Sequence, residues 1–343
     1  MNKKTLYFIL LTIIYSMYFA CFPYASRRNA WFVSTSISHT GKRLLTMTET
    51  RTAFISIVGC PNVGKSSLLN RMLGQKIAIV SDKPQTTRTR IMGVLTEDEI
   101  QLVFTDTPGF HRPHNKLGEK MVKAVGDSIA DVDACLFVVE PQGELRQAEK
   151  ELIQRFQAEN LPVILAINKI DTLPRKELLM ERILKLSALY DFTAVVPVSA
   201  INGDGVPELL EELKKLSVPS MHFFPDDTLT DQPERVIAAE IIREKLLRLL
   251  EQEIPHGIAV SVEKMRERDS SDLMDVEATI YCERESHKGI VIGKKGAMLK
   301  KVSTYAREDM ERFFGCRINL QCWVKVKEDW RNREGLIHNF GLD

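Results

Sequence analysis

Several features that would assign this chain to a large protein class are missing or scarce. Its six cysteines, Cys21, Cys60, Cys135, Cys282, Cys316 and Cys322, are scattered and form no CxxC pair. That pattern excludes a zinc ribbon or a disulfide framework and leads us to expect buried, reduced thiols. Net charge is only +1, from 47 Lys and Arg against 46 Asp and Glu. No global field therefore draws the chain to nucleic acid or membrane, and any polyanion must be held by a local patch. Beyond the run Leu6–Phe22 there is no apolar stretch long enough to span a bilayer. Acids are absent from residues 1–48, the first being Glu49, and the sequence has no internal repeat or low-complexity tract. What remains is 343 residues at 44% hydrophobic and 27% charged, an ordinary globular composition with room for two or three domains.

From Ala53 short apolar runs alternate with helical periodicity: FISIVG, QLVFTDTPG, ACLFVVE, PVILAINKID and AVVPVSA, interleaved with segments such as EKELIQRFQAEN and VPELLEELKKL. Fully apolar runs separated by helices predict a mostly parallel sheet covered on both faces, an α/β domain over residues 49–217. Residues 218–233 hold Pro219, Pro225 and Pro233 among several acids and read as a linker. ERVIAAEIIREKLLRLLEQEI then reads as an amphipathic helix. Strands GIAVSVE and MDVEATIYCE, helices around SHKGIVIG and AMLKKVSTYAREDMERFFG, and a last strand RINLQCWVKVK follow. These define a smaller α+β domain over 234–335, with 336–343 as a tail.

The octet Gly59, Cys60, Pro61, Asn62, Val63, Gly64, Lys65, Ser66 fits GxxxxGK[ST] between a strand and a helix, the setting of a P-loop. Its backbone N–H groups would turn onto phosphates at a helix N-terminus, Lys65 would reach the β and γ phosphates, and the Ser66 hydroxyl would bind Mg²⁺. The choice of base rests on Asn168, Lys169, Ile170 and Asp171. The Asp171 carboxylate can accept from both N1–H and N2–H₂ of guanine, and adenine offers neither donor. Asn168 would meet the other edge of the ring, Lys169 would cover its face, and the Val198–Ser199–Ala200 turn would give an N–H to the guanine oxygen. Asp106, Thr107, Pro108 and Gly109 follow a strand, with Asp106 placed to hold Mg²⁺ through water and Gly109 free to approach the γ phosphate. In the loop between these motifs, Thr86 or Thr87 would complete the metal shell.

Phe110 follows DxxG, where a glutamine can orient the attacking water, and a phenyl ring cannot. Slow intrinsic hydrolysis follows, unless other charge is supplied. The Asn62 amide oxygen could hold a K⁺ beside the phosphates, making Lys65, Asn62 and Gly109 the expected transition-state contacts without any protein nucleophile. In the second domain Gly293, Lys294, Lys295 and Gly296 form a GxxG turn between helices, with Lys288, Lys300 and Lys301 nearby. This arrangement suits a single-stranded RNA backbone, with Ile290, Val291 and Ile292, together with the adjoining sheet, as the apolar floor for bases. The lysines are the local patch that net charge did not reveal.

From about Ala53 to Val326 the chain resembles the Era family of bacterial GTPases, through GCPNVGKSSLLN, QTTRTRIMGV, DTPGFHRP, PVILAINKID, HFFPDDTLTDQPERVIAAEIIREKL, VIGKKGAMLK and LQCWVKVK. The resemblance implies a GTPase domain joined to a type II KH domain. It also implies binding of the 3′ end of 16S ribosomal RNA, a role in assembly of the 30S subunit, a cytoplasmic monomer and peripheral association with the inner face of the cell membrane. Match to the family's second loop threonine favours Thr87 over Thr86 for Mg²⁺. Two rivals stand against this reading. A metabolic P-loop kinase is disfavoured by NKID, and a membrane-tethered GTPase with a KH-like module that binds no RNA is separable from it by RNA binding. Residues 1–48 depart from the family pattern. An export signal conflicts with GTP chemistry and a transit peptide fits only the stretch after the apolar run, so we expect translation to start at Met47.

Overall fold

The computed structural model describes residues 49–342, apart from 84, 111–112, 114, 131, 176, 251–256 and 269–270. The expectations for Leu6–Phe22 and for a start at Met47 lie outside those residues. Strand β1 (Arg51–Val58) leads through the P-loop into α1 (Lys65–Leu73); β2 (Ile91–Glu97) and β3 (Ile100–Asp106) precede α2 (Lys116–Ala130). Then come β4 (Ala134–Val139), α3 (Gln147–Glu159), β5 (Val163–Ile167), α4 (Glu177–Ser187), β6 (Ala194–Pro197), α5 (Val206–Lys215) and β7 (Val218–Pro219). The sheet order is β2-β3-β1-β4-β5-β6, with β7 pairing β1. β2 is antiparallel to β3 and β7 to β1, while the other pairs are parallel.

Alternation within each strand sorts its residues between two cores. Leu136 and Val138 of β4 and Ile164 and Ala166 of β5 join α1 and α5 on one face; Cys135, Phe137, Val163 and Leu165 join α2, α3 and α4 on the other. Both faces are therefore covered, as expected. The C-terminal ends of β1, β3 and β5, where the P-loop, DTPG and NKID begin, converge at one edge of the sheet.

Residues 218–233 are not a bare linker. His222 contacts the Glu99 carbonyl at 3.1 Å and Asp226 at 2.8 Å, and the Gln101 amide oxygen accepts from the N–H groups of Phe223 and Phe224 at 2.8 and 3.0 Å. Val94 donates to Leu229 O at 2.9 Å and Thr230 Oγ1 to Met92 O at 2.6 Å. The segment is a strap bound across the β1–β3–β2 side of the first domain. Its prolines suit a segment with few N–H groups to spend on a regular ladder.

The second domain runs α6 (Glu234–Leu249), β8 (Ile258–Arg268), β9 (Ser271–Cys282), α7 (Glu285–Ile292), α8 (Ala297–Phe314) and β10 (Arg317–Val326), then α9 (Glu334–Asn339). Its sheet order is β10-β9-β8, with β10 parallel and β8 antiparallel to β9. Alternate β9 residues Met274, Val276, Ala278, Ile280 and Cys282 are buried against α6 and α8. Two expectations need correction here. Helix α6 is not simply amphipathic: Arg243, Glu244 and Lys245 are buried along with Ile241, Ile242, Leu246 and Leu247, because it is packed by both domains. The tail expected over residues 336–343 is packed where it is described, up to residue 342, since Ile337 is buried with Trp330, and Leu336, Phe340 and Leu342 pack against them.

Among the described residues no helix is long and apolar enough to cross a membrane. Cys60, Cys135, Cys282, Cys316 and Cys322 are free thiols, the last two only partly buried.

Candidate functional site

The P-loop takes its shape from backbone that side chains would obstruct. A Cβ on Gly59 would stand 2.3 Å from Val138 O, and one on Gly64 2.2 Å from Asn168 Nδ2, so both turns demand glycine. Gly109 lies equally close, its Cβ position 2.6 Å from Pro61 Cα, which brings DTPG against the P-loop. The Phe110 N–H donates to Gly59 O at 3.1 Å. These contacts frame a cavity of about 420 Å³ whose lining includes Asn62, Lys65, Ser66, Thr87, Gly109 and Lys169.

At its floor three oxygens meet. Ser66 Oγ donates to Asp106 Oδ2 at 2.6 Å and lies 2.9 Å from Thr87 Oγ1, which reaches the same carboxylate oxygen at 3.3 Å. Thr86 is elsewhere, its hydroxyl donating to Lys83 O at 2.7 Å. Asp106 is fully buried and, among the described residues, its Oδ1 has no hydrogen-bond partner. A buried carboxylate oxygen without a donor, beside two hydroxyls, is a hard-oxygen set that fits Mg²⁺ and its bound water. Lys65 Nζ, also buried, donates to Gly59 O at 3.2 Å and Cys60 O at 3.0 Å. Burial pushes the Lys65 ammonium below its ordinary range and the Asp106 carboxyl above its own. Their mutual attraction opposes both shifts, helped at Asp106 by the Ser66 and Thr87 hydroxyls and the Thr107 N–H.

Asn168 is buried and acts as a tie between loops. Its Nδ2 donates to Val63 O at 2.9 Å and its Oδ1 accepts from the Ala200 N–H at 3.0 Å. The N–H expected from the Val198–Ser199–Ala200 turn at the guanine oxygen is not free in this conformation: Val198 donates to Ile167 O at 2.8 Å, Ser199 to Asp204 O at 2.9 Å and Ala200 to Asn168. Asp171 is exposed and held by Ser199 Oγ at 2.6 Å. Its desolvation would therefore come from a bound base and not from the protein. Lys169, at φ 68°, extends Nζ to Asn62 O and to Glu140 Oε1, both at 2.6 Å. Glu140 was not foreseen, because a lone acid after a strand carries no motif. Asn62, at φ 64°, donates through Nδ2 to Asp82 O at 2.8 Å. Phe110 is buried in the cluster of Val125, Ile129, Leu152 and Phe156, with the Arg155 guanidinium 5.1 Å from its ring centroid. Its side chain is thereby withdrawn from the cavity lining.

In the second domain the GKKG turn joins α7 to α8 through Gly293 at φ 72°, Lys295 at φ 52° and Gly296 at φ 80°. Lys294, Lys295, Lys300 and Lys301 are exposed. Lys288 sits 3.7 Å from Glu285. Of the expected apolar floor only Ile290 is well exposed, at 48%; Val291 is fully buried in the domain core and cannot meet a base. The exposed ring of Trp323 on β10 belongs to the adjoining sheet expected to share in that floor, and the exposed ring of Tyr305 on α8 is apolar surface that no motif marked.

The two domains meet through residues that no motif marked. Arg88, from the loop before β2, donates to Ile258 O at 2.6 Å, and its guanidinium lies 5.6 Å from the Trp330 ring centroid. Burial, then the nearby Arg243, push its guanidinium down to about 9. Leu117 and Met121 of α2 pack with Ala259, Trp330 and Ile337. The loop before β2 and the helix that follows DTPG are thus both in contact with the second domain.

Two family descriptions match this chain: a 50S ribosome-binding GTPase over residues 54–169 and a KH domain over residues 253–331. The chain is 49% identical over 293 residues to the GTPase Era of Clostridioides difficile (strain 630), covering 85% of this chain and 99% of that protein. To the GTPase Era of Clostridium kluyveri it is 48% identical over 291 residues, with the same coverage. Among solved structures it is similar to Era in complex with MgGDPNP and nucleotides 1506–1542 of 16S ribosomal RNA, at a TM-score of 0.82 and 37% identity. A variant of Aquifex aeolicus Era bound to GDP.AlF4⁻ matches equally, each over 85% of this chain and 99% of the other.

Proposed function

The chain belongs to the Era family of GTPases and hydrolyses GTP to GDP and phosphate, and from that premise we propose that it is a nucleotide-operated factor binding the 3′ end of 16S ribosomal RNA during assembly of the 30S subunit in the cytoplasm. The observation that carries this reading is the presence, in one chain, of the Ser66–Thr87–Asp106 oxygen cluster and the exposed GKKG turn between α7 and α8.

In this reading the P-loop N–H groups and Lys65 orient the triphosphate, with the Lys65 ammonium exchanging its carbonyl partners for phosphate oxygens. When bound, Mg²⁺ would supply charge neutralisation at the phosphates, and Ser66, Thr87 and, through water, Asp106 are the residues that would hold it. Asp171 selects guanine by accepting from N1–H and N2–H₂, while Ser199 fixes its carboxylate. Water is the nucleophile. Phe110 cannot orient it, so the intrinsic rate is slow and catalysis rests on position and charge. The K⁺ expected at Asn62 belongs to the same proposal, and equal rates in K⁺ and Na⁺ would remove it. The GxxG turn holds RNA phosphates, with Ile290 and neighbouring apolar surface offered to bases.

Crosslinking of the full chain to RNA in its GTP and GDP states, with sequencing of the bound fragments, tests the proposal. Fragments should map to the 3′ end of 16S ribosomal RNA, with a yield that depends on the nucleotide. Fragments spread over unrelated RNA in both states would refute the assignment.

A further inference from the structure

Among its described residues the loop that carries Thr87 has no regular structure of its own, yet both its ends are held by one helix of the second domain. At its start the Val80 N–H donates to Glu244 Oε1 at 3.2 Å, and Val80 O accepts from Arg248 Nε and Nη2 at 3.1 and 3.0 Å. At its end Thr86 O accepts from Arg243 Nη2. From the opposite side Asn62 of the P-loop holds Asp82 O, in the middle. The three helix residues lie within six positions of α6. Arg243 is 2% exposed and Glu244 is fully buried. Neither is placed as a surface ion pair would be, and a charge that has lost its water needs fixed partners. Glu240 supplies them on one side, accepting from Arg243 Nε at 2.7 Å; Lys76, Lys245 and Arg248 supply them around Glu244.

We propose that Arg243 is a positioning residue for GTP hydrolysis: by holding the Thr86 carbonyl it sets the backbone from which Thr87 presents its hydroxyl to Ser66 and Asp106. The proposal rests on the reading of Thr87 as a metal ligand. A hydrogen bond to the carbonyl of residue 86 fixes the peptide plane that ends at the nitrogen of residue 87. The 2.9 Å approach of Thr87 to Ser66 therefore depends on a guanidinium supplied by the KH side of the molecule. Without that bond the loop regains alternative conformations, and an error of about 1 Å in a catalytic position can cost roughly a hundredfold in rate. The second domain is in this sense part of the GTPase site, even with no RNA present.

The test uses the full chain and measures phosphate release against Mg²⁺ concentration, alongside GDP affinity. Arg243→Ala should lower kcat by about ten- to a hundredfold, raise the Mg²⁺ needed for half-maximal rate, and leave GDP affinity unchanged. Arg243→Lys, which keeps a donor for Thr86 O, should recover part of both. Wild-type kcat and Mg²⁺ dependence in a folded Arg243→Ala protein would overturn the proposal, and so would a loss of rate with no change in Mg²⁺ dependence. If Arg243→Ala does not fold, Arg248→Ala at the exposed end of the clamp should still raise the Mg²⁺ requirement; no change there overturns it too. Thr87→Ala separates the two levels of the argument. If Thr87→Ala keeps the wild-type Mg²⁺ dependence, the metal-ligand reading itself fails. If Thr87→Ala shifts it and Arg243→Ala does not, only the positioning role fails.

Discussion

Gly and Lys recur in two loops of this protein under opposite physical conditions. In GCPNVGKS the lysine is buried and bonded to carbonyls of its own loop, and the glycine before it is pressed against Asn168. In GKKG both lysines stand in solvent, and nothing lies within 4 Å of a Cβ on Gly296. A site that stabilises charge during bond breaking needs a dehydrated, fixed cation, because low dielectric and absence of reorganisation give that cation its strength. A site that holds a polymer backbone needs hydrated cations that gain affinity by releasing counterions. The same two residue types serve both ends, and burial decides which.

Four measurements would break or sharpen that contrast. The largest effect should come from Lys65→Ala, with kcat for GTP down by about 10²–10³ and RNA crosslinking in the GDP state retained. Equal loss of both would mean the two loops are not separate devices. Next, the glycines should respond unequally. Alanine at Gly64 adds a clash with Asn168 to left-handed strain of about 1–2 kcal/mol, so affinity for GTP and GDP should fall by more than about tenfold. Alanine at Gly296 carries the strain alone and should weaken RNA binding by no more than about tenfold, with nucleotide binding intact. Gly293 is a poorer probe, since its Cβ would stand 2.7 Å from that of Met298. Third, Lys294→Ala and Lys295→Ala should each reduce the slope of log affinity for single-stranded RNA against log salt by about 0.7, whereas a buried lysine would leave it unchanged.

The smallest effect concerns the strap. Burial lowers the His222 pKa, but its hydrogen bonds to Asp226 and the Glu99 carbonyl outweigh that, and the net shift is upward from 6.5. A His raised in the folded state contributes stability that is complete below about pH 6.5 and is lost as pH rises through the folded value. Protection factors against hydrogen exchange in residues 222–230, which are rates corrected for the intrinsic base-catalysed rise with pH, should therefore fall modestly across neutral pH, and His222→Asn should flatten that dependence. A flat profile in the unaltered protein would show that the strap does not rely on this charge.

Much of the first domain was legible because its information is local. The strand-to-helix placement of Gly59 to Ser66, the DTPG turn and NKID each need only neighbours a few residues away, and fully apolar strands announce a sheet covered on both faces. The second domain's strand and helix order was legible for the same reason. What the reading missed is nonlocal. Arg243 and Glu244 resemble the solvated face of a helix until the loop that buries them is brought in from about 160 residues away, as the Arg243–Thr86 separation of 157 shows. Val291 belongs to an apolar triplet whose members are distinguishable only once α8 lies across it. The prolines of residues 218–233 mark an irregular backbone equally well whether that backbone hangs free or is bound to a sheet. Thr86 and Thr87, adjacent in sequence, differ only in which way the loop turns between them, so the preference for Thr87 came from family resemblance and not from the residues themselves.

The strap has a consequence for how the chain is made. Thr50 and Thr52, at the start of the first strand, are capped by Ser220 and Met221, as in the Thr50–Ser220 bond across a separation of 170 residues. Every nucleotide motif lies between those two points. At a synthesis rate of about 5–20 residues per second, the opening strand waits roughly 10–30 s for the segment that finishes its edge. A nascent chain ending at Leu216 would carry the complete set of GTP motifs on an unsealed sheet. Synthesis therefore completes the nucleotide-binding domain only as the helix bearing Arg243 begins to emerge.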